Sequence, residues 1–193
     1  MDAEHALRQL REGNARFAAG EPKHPNQSAE RRAELVAGQQ PWAMVLTCAD
    51  SRVVPELIFD VGLGDLFVAR VAGNVASIGI LASLELGASE LGCPLLVVLG
   101  HHGCGAAQAT LDRGNDHPGV VSELTRRMAA ACVAMHELGD MEVNELVDRN
   151  VRRQVEELRS TPPTLSERVG DGRLSIVGAV YELATGQVHF LDA

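Results

Sequence analysis

Among the side chains of the 193-residue chain that can bind soft divalent cations, Cys48, His101 and Cys104 stand out by their setting. His101 and Cys104 stand two residues apart in the glycine-rich run Gly100-His101-His102-Gly103-Cys104-Gly105, which can bend both toward one ion, as short-loop zinc half-sites do. Cys48 supplies a third ligand from a distant part of the chain. Three protein ligands leave the fourth place of a tetrahedral Zn2+ to solvent, which is how a catalytic zinc differs from a structural one. H-x-x-C by itself is a weak signal, because buried cysteines and hydrogen-bonded core histidines are common. The company of Cys48 strengthens it. Cys48-Ala49-Asp50-Ser51-Arg52 sets a carboxylate and a guanidinium just after the thiol, and Asp50 with Arg52 can form a charge-assisted pair beside the metal.

Strand ends are the elements able to bring such residues together. Short continuous aliphatic runs occur at 42–47, 66–71, 95–99 and 174–181, the texture of strands buried on both faces. Cys48 follows the first run and His101 and Cys104 follow the third, and open α/β sheets bind ligands at the carboxyl ends of their strands. A helix is predicted from Ile78 to Leu91, capped by Ser77 and closed by Gly92 with Pro94 beyond. Strand, helix, strand at this spacing reads as a βαβ unit. Amphipathic helices are predicted over 120–138 and 142–160, and Ala184-Thr185-Gly186 as a hairpin turn into an edge strand at 187–190. Asp2 caps a first helix whose apolar stripe, Leu7, Leu10 and Phe17, is narrow, and Ser28 opens a second short helix ending near Gly38. The fold class is therefore α/β: a mainly parallel central sheet of about four strands plus an antiparallel edge strand, flanked by helices, in a single domain over 1–193. Residues 1–38 form an N-terminal helical arm and 39–193 the sheet core with the C-terminal helices.

Aromatic residues are only 3% of the chain, so its core must be aliphatic. Seventeen Lys+Arg against 26 Asp+Glu give a formal charge of −9, which repels polyanions and argues against a nucleic-acid or anionic-membrane surface. No apolar run is long enough to cross a bilayer. The start Met1-Asp2-Ala3-Glu4-His5 lacks the basic and apolar regions of a signal peptide. Cytoplasmic residence is expected, with Cys48, Cys93, Cys104 and Cys132 as reduced thiols.

C-x-D-S-R followed some fifty residues later by G-H-x-x-C-G resembles the β-class carbonic anhydrases. The resemblance extends over Gly13-Asn14-Ala15-Arg16-Phe17, Arg52-Val53-Val54-Pro55-Glu56, Gly64-Asp65-Leu66-Phe67-Val68, Arg70-Val71-Ala72-Gly73-Asn74 and Pro94 to His101. It implies reversible hydration of CO2 to bicarbonate at one Zn2+ per subunit, with Cys48, His101 and Cys104 as ligands. Asp50 and Arg52 would be the active-site dyad, and Asp50 a fourth ligand only in a closed state. Gln39, Phe67 and Gly103 would border the substrate pocket. A homodimer or homotetramer is implied, with the arm crossing onto a neighbour. Leu86 stands where many members carry tyrosine. His102 is expected to be a solvated or supporting residue, and Cys93 and Cys132 to be core residues. Among the alternatives, a thiol phosphatase or rhodanese-like transferase also places a cysteine after a strand, but the phosphate cradle of the former needs a longer cysteine-to-arginine loop than that between Cys48 and Arg52. The same fold and zinc would also suit a hydrolase for CS2 or a similar molecule. A zinc module without turnover would be marked by loss of the Asp-Arg pair.

Overall fold

The computed structural model describes residues 1–113, 116–131 and 141–191. Its centre is a five-stranded sheet, β1 (Ala43–Thr47), β2 (Leu66–Arg70), β3 (Leu95–His101), β4 (Ser175–Tyr181) and β5 (Val188–Phe190), in the order β2-β1-β3-β4-β5. The first four are parallel and β5 is antiparallel to β4, as the sequence leads one to expect. Every residue of β1 and β3 is buried, and the two-residue period of a strand splits them between two layers. Met44, Leu46, Leu96 and Val98 face one layer, which holds Leu84 of helix α4 (Ile78–Ser89) and Val147, Val151 and Leu158 of helix α7 (Val143–Ser160). Ala43, Val45, Leu95, Val97 and Leu99 face the other, with Ala6 and Leu10 of α1 (Ala3–Ala18) and Ile58 and Phe59 of the short helix α3 (Pro55–Ile58) and its cap. Each fully enclosed Leu or Ile here contributes about 1.5–3 kcal/mol by leaving water.

The β2-α4-β3 connection does not join neighbours. β1 lies between its two strands, so α4 crosses over β1. α4 begins after Ser77 as expected, but the Ser77 side chain makes no capping bond. Asp2 and Ser28 do cap, accepting from the His5 and Arg31 N–H groups. Three described helices carry no clear signal in the sequence: α3, α5 (Gly105–Arg113) and α8 (Pro163–Gly170). The helix expected over 120–138 is α6 (Val121–Ala129) as far as it is described; residues 132–138, and Cys132 with them, lie outside the described residues.

α1 packs against its own chain, on α3 and on the turn that leads into β5. Asn14 donates from Nδ2 to the carbonyls of Ile58 (3.1 Å) and Gly186 (2.9 Å) and accepts from Val188 N–H (2.8 Å). Gly13 permits the close approach, since a Cβ there would come within 1.8 Å of the Phe59 carbonyl oxygen. By contrast α2 (Ala29–Glu34) and the 3-10 turn after it bury no residue.

Asp60 ties α1 to α3 and to the loop between α1 and α2. Its side chain is fully enclosed and accepts from Arg16 Nε (2.6 Å) and from the backbone N–H groups of Lys23 (3.0 Å) and His24 (2.9 Å). Burial pushes its carboxyl up, but those donors together outweigh it and hold the group below the usual carboxylate range. The backbone is left-handed there, at φ 45°, which asparagine also tolerates, so Asp60→Asn removes the charge, and one acceptor with it, without backbone strain. We expect it to cost about 3 kcal/mol at pH 7 in urea denaturation. The native carboxyl binds protons more weakly than the unfolded one, whose pKa is about 3.9, so its contribution is complete above that value and is lost as pH falls through the native one. The gap between wild type and variant should therefore close below about pH 4; a gap that stays constant down to pH 3 would remove ionisation as its source.

Candidate metal centre

β1 and β3 end side by side. Thr47 lies opposite Leu99 in the parallel register, and its Oγ1 donates to the Leu99 carbonyl (2.8 Å). One further residue of β1 reaches Cys48 and two of β3 reach His101. Gly103, at φ 66°, then turns the chain back so that Cys104 precedes α5. The ligand atoms of Cys48, His101 and Cys104 all lie within 4.8 Å of one another, and all three residues are buried. No other such group of metal-ligating side chains occurs among the described residues.

The donor set fits a cation. His101 Nδ1 faces the carbonyl oxygen of His102 at 3.1 Å; a carbonyl only accepts, so the proton sits on Nδ1 and Nε2 keeps its lone pair. That Nε2 is buried without a hydrogen-bond partner, a costly state for a polar atom unless it binds something. The two sulfurs are 4.0 Å apart, close to the ~3.8 Å edge of a tetrahedron built on Zn–S bonds of about 2.3 Å.

Cys48 sits where a thiolate is favoured. The Cys104 thiol donates to it first, and against the opposing effect of burial the N–H groups of Asp50 and Gly73 add to this, holding its pKa well below the usual thiol range. Gly73 N–H lies 3.3 Å from Cys48 Sγ. Cys104 is driven the other way by its hydrogen bond to Cys48, by burial and by the negative sulfur beside it, although the Ala106 and Ala107 N–H groups at the start of α5 aim at it. The pair thus shares one proton until a cation supplies the charge that lets both ionise.

Asp50 and Arg52 meet in a two-point contact, Nε to Oδ1 at 2.9 Å and Nη2 to Oδ2 at 2.8 Å, and Arg52 N–H also donates to Oδ1. Arg52 holds the Asp50 carboxyl well below its ordinary range. Asp50 Oδ2 lies 3.8 Å from His101 Nε2. Gly103 joins this group, accepting from Arg52 Nη2 through its carbonyl (3.3 Å). Gln39 and Phe67 do not. Gln39 precedes β1, at the end of the sheet opposite Cys48, and lines a cavity with Glu90 and Leu91. Phe67 pairs with Met44 in the strand register and packs toward Gly87 of α4. Leu86 is half-exposed on α4. His102 is partly exposed, with Nε2 3.5 Å from Asp148 Oδ1, and its carbonyl fixes the His101 ring. Cys93 is buried, donating to the Pro41 carbonyl.

A family model for carbonic anhydrases matches residues 43–188. Carbonic anhydrase 2 of Mycobacterium tuberculosis is 44% identical over 190 residues, covering 97% of this chain and 92% of that protein. Among solved structures, the β-carbonic anhydrase CcaA matches with a TM-score of 0.77 at 28% identity, over 96% of this chain and 95% of that one. The chain belongs to the β-carbonic anhydrase family. A carbonic anhydrase of Mycolicibacterium smegmatis is 41% identical over 95% of this chain and 91% of its own length. The Coccomyxa β-carbonic anhydrase solved with acetazolamide gives a TM-score of 0.75 at 28% identity, over 82% of this chain and 75% of that one.

Around this β-carbonic anhydrase centre stand residues to which the sequence assigned no part in holding it. Arg70 donates to the carbonyls of Cys48 (3.2 Å) and Asp50 (2.7 Å), pinning both ends of the segment that carries ligand and carboxylate. From α7, Asn144 accepts from Gly103 N–H (2.9 Å), Asn150 donates to the Gly73 carbonyl (2.9 Å), and Gln154 accepts from Ala76 N–H (2.8 Å). The signal for the last two was present: Asn150 and Gln154 interrupt the otherwise apolar face Leu146, Val147, Val151, Val155, Leu158. We expect Cys48→Ser to lower zinc affinity by more than about 100-fold in chelator competition, with the circular dichroism of the fold retained. Wild-type affinity in that variant would remove Cys48 from the ligand set.

Proposed function

We propose that this carbonic anhydrase interconverts CO2 and bicarbonate at a zinc ion held by Cys48, His101 and Cys104, one ion per subunit, with Asp50 and Arg52 as the dyad that handles the proton. The observation that carries this reading is the lone pair of His101 Nε2, buried, unpartnered and grouped with two cysteine sulfurs beside a carboxylate already claimed by an arginine. Zn2+ bound there supplies Lewis acidity and lowers the pKa of a coordinated water.

The chain's own residues set the rest. Two thiolates cancel the charge of a dication, so the acidity available is less than with three neutral histidines, and help in removing a proton is needed. Asp50 is ionised throughout the working range because of Arg52, and its Oδ2, 3.8 Å from His101 Nε2, would lie within reach of a water at the place the three ligands leave open. It would accept a hydrogen bond from that water or hydroxide and so aim an oxygen lone pair at the carbon of CO2, the released proton passing to solvent. Arg52 in turn is steadied by Gly103, so the carboxylate is held on the guanidinium. Breaking that contact would free Asp50 to swing toward the ligand group and exclude water. The intact pair also argues against a zinc module without turnover.

Of the pocket candidates only Gly103 stands at this centre within one chain; Gln39 and Phe67 lie elsewhere, as described above. We further propose a homodimer or homotetramer, supported by the exposed Val36, Leu57, Leu63 and Ile78. Cytoplasmic residence is proposed from the free thiols of Cys48, Cys93 and Cys104. No described helix is long and apolar enough to cross a membrane.

Zinc content of protein purified without chelators, together with stopped-flow CO2 hydration, tests the proposal; folded, metal-free and inactive protein would overturn it. Asp50→Asn should keep its zinc and lose at least about 100-fold in kcat, and normal turnover in it would take Asp50 out of the mechanism.

A further inference from the structure

We propose that Asn150 is a positioning residue of the metal centre, acting on Cys48 through Gly73. The inference rests on the reading of Cys48 as a metal ligand. Asn150 is wholly buried on the face of α7 that packs against the sheet, between Val147 and Val151. An amide there is a loss unless its bonds matter, since leucine would fill similar space with no polar atom to satisfy. Asn150 Oδ1 in fact has no hydrogen-bond partner, so what the residue contributes is its Nδ2 bond to the Gly73 carbonyl at 2.9 Å.

Gly73 is the residue whose N–H points at Cys48 Sγ, 3.3 Å away. It adopts φ 65° and is followed by Asn74 at φ 44°. A Cβ at Gly73 would meet Met128 Sδ at 2.6 Å, so the packing of α6 keeps this position a glycine. Glycine is the residue with the widest backbone freedom, and the N–H···S contact weakens steeply as its angle opens. The anchor on the Gly73 carbonyl holds the neighbouring peptide planes and so fixes that angle. An N–H donor at sulfur draws charge from the thiolate and sets where its remaining lone pairs point, which tunes both the strength and the electronic character of its bond to a metal.

Cobalt(II) in place of zinc reads this directly through the thiolate-to-metal charge-transfer band. Wild type should show the band. Its absence would overturn the metal reading itself, and this proposal with it. Asn150→Leu should shift the band and weaken zinc binding about 10- to 100-fold in chelator competition. Gln154→Leu removes a comparable bond from the same helix to the same loop, at Ala76 N–H, without reaching the sulfur; it should leave band and affinity as in wild type whatever its effect on thermal stability. If Asn150→Leu does not fold, Asn150→Ser, too short to reach Gly73, should give the same shift. A wild-type band and affinity in the folded Asn150 variant would overturn the proposal, and so would an equal change in Gln154→Leu, which would point to general loosening of the loop.

Discussion

The parallel ladder between β1 and β3 is the constraint on which the centre depends. With Thr47 held opposite Leu99 by backbone register and by its own hydroxyl, the first residues past that point on each strand emerge at one edge of the sheet. Cys48 is one of them and His101 another. In a two-residue period a slip of one place would turn every side chain to the opposite face, and with both strands buried on both sides that slip would disrupt two packed layers at once. The register is therefore protected by the packing of both layers and does not rest on the three ligands alone.

Within that frame, charge is arranged so that each ionised group answers another. The cysteine pair holds one proton between two sulfurs, with backbone N–H groups aimed at both. Asp50 is claimed on both oxygens by Arg52, while Arg70 takes the carbonyls on either side of Ala49. The segment 48–50 is thus held by arginines from two directions, which lets a short loop carry a ligand and a carboxylate without a helix or strand of its own.

α7 gives the centre its backing. Gly100 and Gly178 let it approach β3 and β4 closely, since a Cβ at either would come within 3 Å of a Val151 methyl. At that distance its short amide side chains reach the loops on both sides of the ligand group, Gly103 on one and Gly73 on the other. A β-carbonic anhydrase centre is in this chain built from two strand ends and steadied by a helix some forty residues further along.

Much of this was legible in the sequence. Four aliphatic runs place β1 to β4, the buried texture being strongest in β1 and β3, and the hairpin turn Ala184-Thr185-Gly186 places β5. Cys48-Ala49-Asp50-Ser51-Arg52 carries its own pairing, since two residues so close in one turn have little else to meet. The helix α5 was not legible, because after Cys104 it offers mainly alanines and a single leucine, too little apolar periodicity to mark a face. Tertiary structure alone decided the rest. Sheet order placed β1 between β2 and β3, bringing residues 48 and 101 to one edge while leaving Gln39 at the other end. It covered α1 with its own chain. And it turned Asn150 and Gln154, which read as flaws in an amphipathic stripe, toward loops some eighty residues away. Local propensity and periodicity act over a few residues, whereas such contacts exist only once the strands have paired.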